Sequence, residues 1–372
     1  MTTQTQCNLK GSQKSFFIQM NQAASCCRSY PEPLPANMSL LLKRWQTEHD
    51  QLTQGIAVEN CASCWKDQNQ GRTSYRQQYG HQKALNQVEI WLNNSCNQMC
   101  SYCSPKFSST WQQSIQDHGF FENISSTAKS NLALPPTPSV ADQDQWIENI
   151  REYLQSQPPE SVNLKLLGGE PLMQFRNLQK LISLAGNSVN QLTINTNLNP
   201  PNTRFLSWLL NTVPRHKLTF HISLDATPAY NHVPRAGFDR DRFESNLKLL
   251  IDKNIKFIFL AVVSVLSVFD LPAFVKWSRP GQVNFFKINN PDCLDAVWLP
   301  EHILDQIKNQ FEQEPPVIFQ GLYSKPQSLI DLKLFEQYNY LRQYFFRTGI
   351  DTKQIDNPVF QQYWNWLEER QK

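Results

Sequence analysis

The sequence predicts an α/β fold built on a mainly parallel sheet. Three observations carry that expectation. Between residues 87 and about 290, short apolar runs alternate with segments whose apolar residues recur at helical spacing. Such alternation means parallel strands joined by crossover helices, in a sheet that is open or closed. Hydrophobic residues make up 40% of the 372, enough for a sizeable core. Eight of the nine cysteines precede residue 104, which sets a polar, cysteine-bearing N-terminal part apart from the alternating region.

The elements follow in order. Residues 1–85 are rich in Gln, Asn and Ser, and five cysteines fall here. Ser15 to Met20 reads as a strand, and Leu40, Leu41, Leu42 and Trp45 give helical spacing from Met38 to Gln51. So polar a segment has a thin core and gains from a metal staple. Residues 86–295 hold six strand–helix units. Their strands are Val88 to Leu92, Val162 to Leu167, Leu192 to Asn195, Leu218 to Leu224, Ile255 to Val265 and Val283 to Ile288. Helices are expected at Trp146 to Leu154, Leu178 to Leu184, Phe205 to Leu210, Phe243 to Leu250 and Ala273 to Trp277. Function in such sheets sits at the carboxyl ends of strands. Residues 105–142, rich in Ser, Pro and Thr and broken by Pro135, Pro136 and Pro138, read as a long excursion or partly ordered insertion. Residues 296–372 are aromatic and helical, with amphipathic helices at Leu332 to Phe346 and Phe360 to Leu367.

Charge excludes several functions. Thirty-five basic against 32 acidic residues leave +3, no footprint for nucleic acid or an anionic membrane. No apolar run reaches the roughly 18 residues of a membrane span. The opening MTTQTQCNLKGSQKS has no apolar signal region, so a cytoplasmic location is expected. Clustered cysteines in such a setting point to metal or catalysis rather than disulfides.

Cys96, Cys100 and Cys103 form a C-x3-C-x2-C run directly after the first strand of the alternating region. Zinc sites supply four ligands, or three with an open position, and no His or fourth Cys lies near this run. Three thiolates can instead hold three irons of a [4Fe–4S] cluster and leave the fourth free. Two glycines, Gly168 and Gly169, end the second strand and precede Glu170-Pro171, in a chain with only 12 glycines. Glycine lets backbone pass close to a ligand, and the carboxylate beside it can hold an ammonium group.

With these residues the chain resembles the radical S-adenosylmethionine (SAM) superfamily, whose signature is a three-cysteine loop with an aromatic residue before the last cysteine. Tyr102 takes that place. The resemblance implies a partial (β/α)6 TIM-like barrel. It implies that SAM chelates the unique iron, and that reductive cleavage gives a 5′-deoxyadenosyl radical, which abstracts a substrate hydrogen atom. It assigns the SAM amino end to Gly168, Gly169 and Glu170. Asn195, in Asn195-Thr196-Asn197, and Ser223 and Asp225, in Ser223-Leu224-Asp225, are expected at SAM or substrate, though such residues also serve plain turn chemistry. Arg235 matches an arginine that meets the SAM carboxylate. Phe285 and Lys287 are placed to reach the adenine, with core packing the plainer role for Phe285.

Cys61 and Cys64 form a C-x2-C pair, and Cys7, Cys26 and Cys27 lie upstream. Four thiolates would close a zinc site or a fully ligated cluster. The pattern, with Trp65, Gly71, Ser74 and Arg76 after the pair, resembles the SPASM or shorter "twitch" auxiliary-cluster modules of radical SAM proteins. Here the module precedes the barrel, whereas it usually follows. Asn8-Leu9-Lys10 also departs from the Pro and Phe usual after the first cysteine. The implied ligands are Cys7, Cys26, Cys61 and Cys64. Neighbours in extended chain face opposite ways, so only one of Cys26 and Cys27 ligates, and Cys26 is favoured; the remaining thiol and Cys293 read as buried and inert.

The resemblance further implies a peptide or protein substrate and an electron donor such as flavodoxin or ferredoxin. Two alternatives stand beside it: a radical SAM enzyme acting on a nucleotide, sugar or other small metabolite, and a non-catalytic zinc-stabilised binding protein.

Overall fold

A computed structural model describes residues 7, 10, 12–35, 37–71, 73–79, 86–136, 140–185, 187–278, 282–288, 290–324 and 326–371. Pro138 and Asn8-Leu9 lie outside the described residues. The strands, in chain order, are β1 Gln13–Phe17, β2 Gln22–Ala24, β3 Glu32–Pro33, β4 Asn86–Trp91, β5 Met99–Cys100, β6 Val162–Leu167, β7 Val189–Thr196, β8 Leu218–Ser223, β9 Arg235–Ala236, β10 Lys256–Val263 and β11 Val283–Lys287. The six strands expected from the sequence are β4, β6, β7, β8, β10 and β11. The expected strand from Ser15 to Met20 is shorter: β1 ends at Phe17 and a 3-10 turn takes Ile18–Met20.

The chain forms two compact units. The first comprises Met1–Asn93, Pro135–Asn195 and Arg204–Thr219. Its sheet runs β7-β6-β4-β1-β2-β3. β4 pairs in parallel with β6, with Ile90 opposite Leu166, and β6 in parallel with β7. The N-terminal segment joins this sheet directly: β1 pairs in parallel with β4, Phe16 opposite Ile90, and β2 returns antiparallel. Alternation explains β6, where Val162, Leu164 and Leu166 are buried while Asn163 and Lys165 are only half-buried. Trp146, Ile147, Ile150 and Leu154 form one apolar stripe of the helix Val140–Gln155. That helix packs on Phe175–Ala185, which buries Leu178, Leu181 and Ile182.

The second unit comprises Asn94–Leu134, Thr196–Thr203 and Phe220–Lys372. β10 and β11 pair in parallel here, with Ala261 opposite Phe285. Residues 220–223 of β8 lie beside β10, and the Leu224 N–H donates to the Leu260 carbonyl. A separate two-stranded sheet joins β5 to β9, antiparallel. The helix Ile330–Thr348 ends at Gly349 in the left-handed region, φ +69°, where glycine costs least. Asn357 caps Pro358–Glu369 by accepting from the Phe360 N–H, and Pro358 occupies the first turn.

Within the expected excursion at 105–142, residues 137–139 lie outside the described residues, while residues 105–134 are ordered and packed. They hold two helices, Ser109–His118 and Ser126–Asn131, capped by the Ser108 and Ser125 hydroxyls. Trp111, Ile115, Phe121, Ala128 and Leu132 are buried. Phe121 packs on Tyr340, ring centroids 4.8 Å apart. Glu336 accepts from the Ser125 N–H at 2.9 Å. Trp111 and Phe121 pack on Tyr344 and Tyr340 of Ile330–Thr348, while Phe120 and Leu134 stay exposed. No helix among the described residues is long and apolar enough to cross a membrane.

Candidate functional site

The three-cysteine loop follows β4 and carries β5. Groups from three places hold its backbone: side chains from two helices and one backbone carbonyl. From the first turn of Ser109–His118, the Thr110 hydroxyl donates to the Cys96 carbonyl (2.7 Å) and the Ser108 hydroxyl to the Gln98 carbonyl (2.7 Å). The Trp111 indole N–H donates to the Cys100 carbonyl at 2.8 Å. From Ile330–Thr348, the Tyr344 hydroxyl donates to the Met99 carbonyl (3.0 Å) and the Tyr340 hydroxyl to the Ser101 carbonyl (2.8 Å). From the β9 side, the Pro234 carbonyl accepts from the Ser101 N–H at 2.8 Å. Buried carbonyls need such partners, and here fixed side chains supply them. Trp111, Tyr340 and Tyr344 are contacts of the cysteine loop that the sequence reading missed. The tyrosines' i, i+4 spacing reads as ordinary helix packing.

Pairing of β5 with β9 sets Cys100 opposite Arg235. The turn after β9 depends on Gly237: φ is +87°, and a Cβ there would stand 2.6 Å from the Asn97 carbonyl oxygen. Arg235 donates from Nε to Asp225 Oδ2 (2.8 Å), from Nη2 to the Tyr102 hydroxyl (2.5 Å) and from Nη1 to Cys100 Sγ (3.4 Å). Tyr102 in turn donates to Asp225 Oδ2 at 2.7 Å. Asp225 Oδ1 accepts from the Val262 N–H at 2.9 Å. Burial works against the Arg235 charge, but Asp225 and Cys100 hold the guanidinium well above its usual range. Burial raises the Tyr102 phenol well above its own. Burial, then the Cys100 charge, pushes the Cys103 thiol up to about 12.

The other expected positions fall as follows. Gly168 and Gly169 both have positive φ, and a Cβ on Gly168 would stand 3.3 Å from Asn93 O and Trp91 Cα. Glu170 is fully buried, and its Oε1 accepts from the Leu172 N–H at 3.0 Å. The Asn195 side-chain oxygen is buried without a hydrogen-bond partner. Asn197 caps its own turn at the Asn199 N–H and reaches Asn97 at 3.0 Å, which ties this segment to the cysteine loop. Ser223 ends β8. Phe285 meets Phe274 edge-on at 6.4 Å, a packing contact, and Lys287 is exposed.

In the first unit, Cys7, Cys26, Cys61 and Cys64 line one small cavity with Lys10, Tyr75 and Arg76. Cys26-Cys27 lies in a turn rather than in extended chain; Cys26 is buried and Cys27 exposed. The exposed member is thus not the buried, inert thiol expected, whereas Cys293 is buried. Cys61 and Cys64 stand at the start of Ala62–Asn69, three residues apart and so on one face. The residues singled out after the pair converge. The Arg76 guanidinium stacks on Trp65, 3.8 Å from the ring centroid, and donates to Gln68 at 2.6 Å. Gln68 donates to Ser74 at 2.7 Å, and Gly71 turns the chain with φ +71°. Lys10 is buried, paired with Glu48 at 2.7 Å. Burial pushes the Cys61 thiol up to about 11 despite Lys10. Among the described residues, no three His, Cys, Asp or Glu side chains are grouped to hold one metal ion. A tetrahedral zinc would draw its sulfurs to ~3.8 Å of one another.

No protein-family model matches the chain, and no curated protein matches it. Among solved structures, it is similar to "Native anSMEcpe with bound AdoMet", with 16% identity, a TM-score of 0.39, and 55% of this chain and 53% of that one covered. It is also similar to Streptococcus suis SuiB bound to precursor peptide SuiA, with 15% identity, a TM-score of 0.37, and 72% and 52% covered. The chain thus spans little more than half the length of these proteins. At that level the likeness carries no argument about chemistry, and the bound molecules belong to those proteins.

Gly237→Ala puts a side chain into the Asn97 carbonyl and a left-handed backbone on alanine. It is expected to cost at least ~1–3 kcal/mol, read as a lower urea midpoint at unchanged slope. An unchanged midpoint would show that the β5–β9 turn is not as tight as described.

Proposed function

We propose that the chain is a radical SAM enzyme. The observation that carries the reading is the C-x3-C-x2-C loop, whose backbone is pinned on several sides while its thiols remain free of disulfides. The donor set fits a three-thiolate [4Fe–4S] cluster: three cysteines on one short loop, with the Arg235 cation against one sulfur. When bound, the cluster supplies the electron that cleaves SAM to methionine and a 5′-deoxyadenosyl radical, which takes a hydrogen atom from substrate.

The chain's own residues then have distinct tasks. Cys96, Cys100 and Cys103 ligate. Gly168 and Gly169 let backbone approach the methionine end of SAM, and Glu170, held at the turn by the Leu172 N–H, offers its carboxylate to the ammonium group. The unpartnered Asn195 oxygen supports a ligand-facing role for this residue. Ser223 stands at the carboxyl end of its strand, where ligands bind in such sheets. Cys7, Cys26, Cys61 and Cys64 hold an auxiliary [4Fe–4S] cluster beside Lys10 and Arg76, whose charges offset four thiolates. The substrate is a peptide or protein, a class that rests on the resemblance to SPASM and twitch proteins, and a flavodoxin- or ferredoxin-like protein supplies electrons.

Protein reconstituted without oxygen is expected to bind about eight irons, as two [4Fe–4S] clusters, and to release 5′-deoxyadenosine from SAM when reduced. Zinc without iron, or an intact cluster with no SAM cleavage, would overturn the reading. Cys26→Ser is expected to lose the auxiliary iron and Cys27→Ser to keep it. The reverse result would exchange the ligand assignment.

A further inference from the structure

We propose that Arg235 is a positioning residue for the cluster on the cysteine loop, a fixed cation that sets its reduction potential in balance with Asp225, and not a ligand of SAM. The inference rests on the reading of that loop as a cluster site. It departs from the expectation that this arginine meets the SAM carboxylate.

The geometry of the guanidinium carries it. All three nitrogens have partners: Nε on Asp225 Oδ2 at 2.8 Å, Nη2 on the Tyr102 hydroxyl at 2.5 Å, and Nη1 on Cys100 Sγ at 3.4 Å. The side chain is 8% exposed and that of Asp225 not at all. Asp225 is itself fixed, by the Val262 N–H on its other oxygen and by Asn231, which accepts from the Asp225 N–H at 3.0 Å. The strand register places Arg235 opposite Cys100, so the backbone as well as the side chain holds the pair together. These bonds engage three of the guanidinium's five N–H donors, so a SAM carboxylate would have only the second N–H of Nη1 and of Nη2 to bind, on a side chain already fixed by Asp225, Tyr102 and Cys100.

The electrostatic consequence has a definite sign. A reduced cluster carries one more negative charge than an oxidised one. A cation donating to a ligand sulfur therefore favours the reduced form, and hydrogen bonds to cluster sulfurs are a known control of potential. Asp225 opposes it by neutralising part of the arginine's charge, and at low local dielectric both effects are strong. Gln98 lies against the same sulfur: as placed, its side-chain oxygen accepts from the Cys100 thiol at 3.9 Å, and its buried amide nitrogen has no hydrogen-bond partner. A flipped amide would donate to the thiolate, and the two orientations are a matter of assignment.

The two members of the pair thus predict opposite shifts, which a merely structural role does not. In the anaerobically reconstituted full chain, the midpoint potential is read by EPR redox titration and SAM affinity by equilibrium binding. Arg235→Gln is expected to lower the midpoint by about 59 mV or more, a tenfold change in a one-electron equilibrium, with SAM affinity unchanged. Asp225→Asn is expected to raise it. Weaker SAM binding by Arg235→Gln at an unchanged midpoint would overturn the inference and return Arg235 to the SAM carboxylate. If Arg235→Gln does not retain iron, Asp225→Asn decides alone: a raised midpoint supports the inference, an unchanged or lowered one overturns it. Failure of the wild-type chain to show any reducible cluster would instead overturn the reading of the loop itself.

Discussion

The cysteine loop is held by hydrogen bonds from buried aromatic side chains, and the rest of the site depends on that restraint. Each neutral bond contributes about 0.5–1.5 kcal/mol, and each carbonyl left unsatisfied in the interior would cost about 1–3. Thr110, Ser108, Trp111, Tyr340 and Tyr344 together cover five carbonyls over residues 96–101. These five carbonyls are therefore satisfied by side chains of the loop's own unit. Tyr344 serves two strands at once, because its oxygen also accepts from the Ala236 N–H at 3.2 Å. Through it, the helix near the C-terminus sets the register that brings Arg235 to Cys100.

Electrostatics complement that rigidity. Burial pushes the Cys103 thiol up to about 12 and the Cys61 thiol up to about 11. Ligation by a metal reverses this, since the bound form is the thiolate and protons leave as it forms. Each group carries its own cation: Arg235 in the second unit, Lys10 and Arg76 in the first. A buried ion pair such as Arg235–Asp225 is weak evidence of stability, yet breaking one side of it costs about 3–5 kcal/mol. It is best understood as a device that fixes charge beside Cys100.

The sequence made the six strands of the alternating region legible because each is a compact apolar run between turn residues, and Val162–Leu167 matches residue for residue. Residues 105–134 were not legible as packed structure. Their apolar side chains are sparse, and only the presence of Ile330–Thr348 makes Trp111 and Phe121 core residues. The cysteine motif and Gly168-Gly169-Glu170 announced themselves by spacing. The clamps did not, since Tyr340 lies 239 residues from the carbonyl it binds and a phenol in an amphipathic helix has no distinctive pattern. Arg235 was legible as a position but not as a contact, because its partners Asp225 and Tyr102 meet it only in three dimensions.

The central claim is that the cysteine loop is pre-formed by these side chains before any iron arrives. Amide hydrogen exchange on the metal-free full chain tests it most directly. The account predicts slow exchange at Ser101 and Cys103, whose N–H groups donate to Pro234 and Cys100 at 2.8 and 2.9 Å, with faster exchange in Tyr344→Phe. Fast exchange of both amides in the unaltered metal-free protein would contradict it, and would make the metal, not the fold, the organiser of the loop.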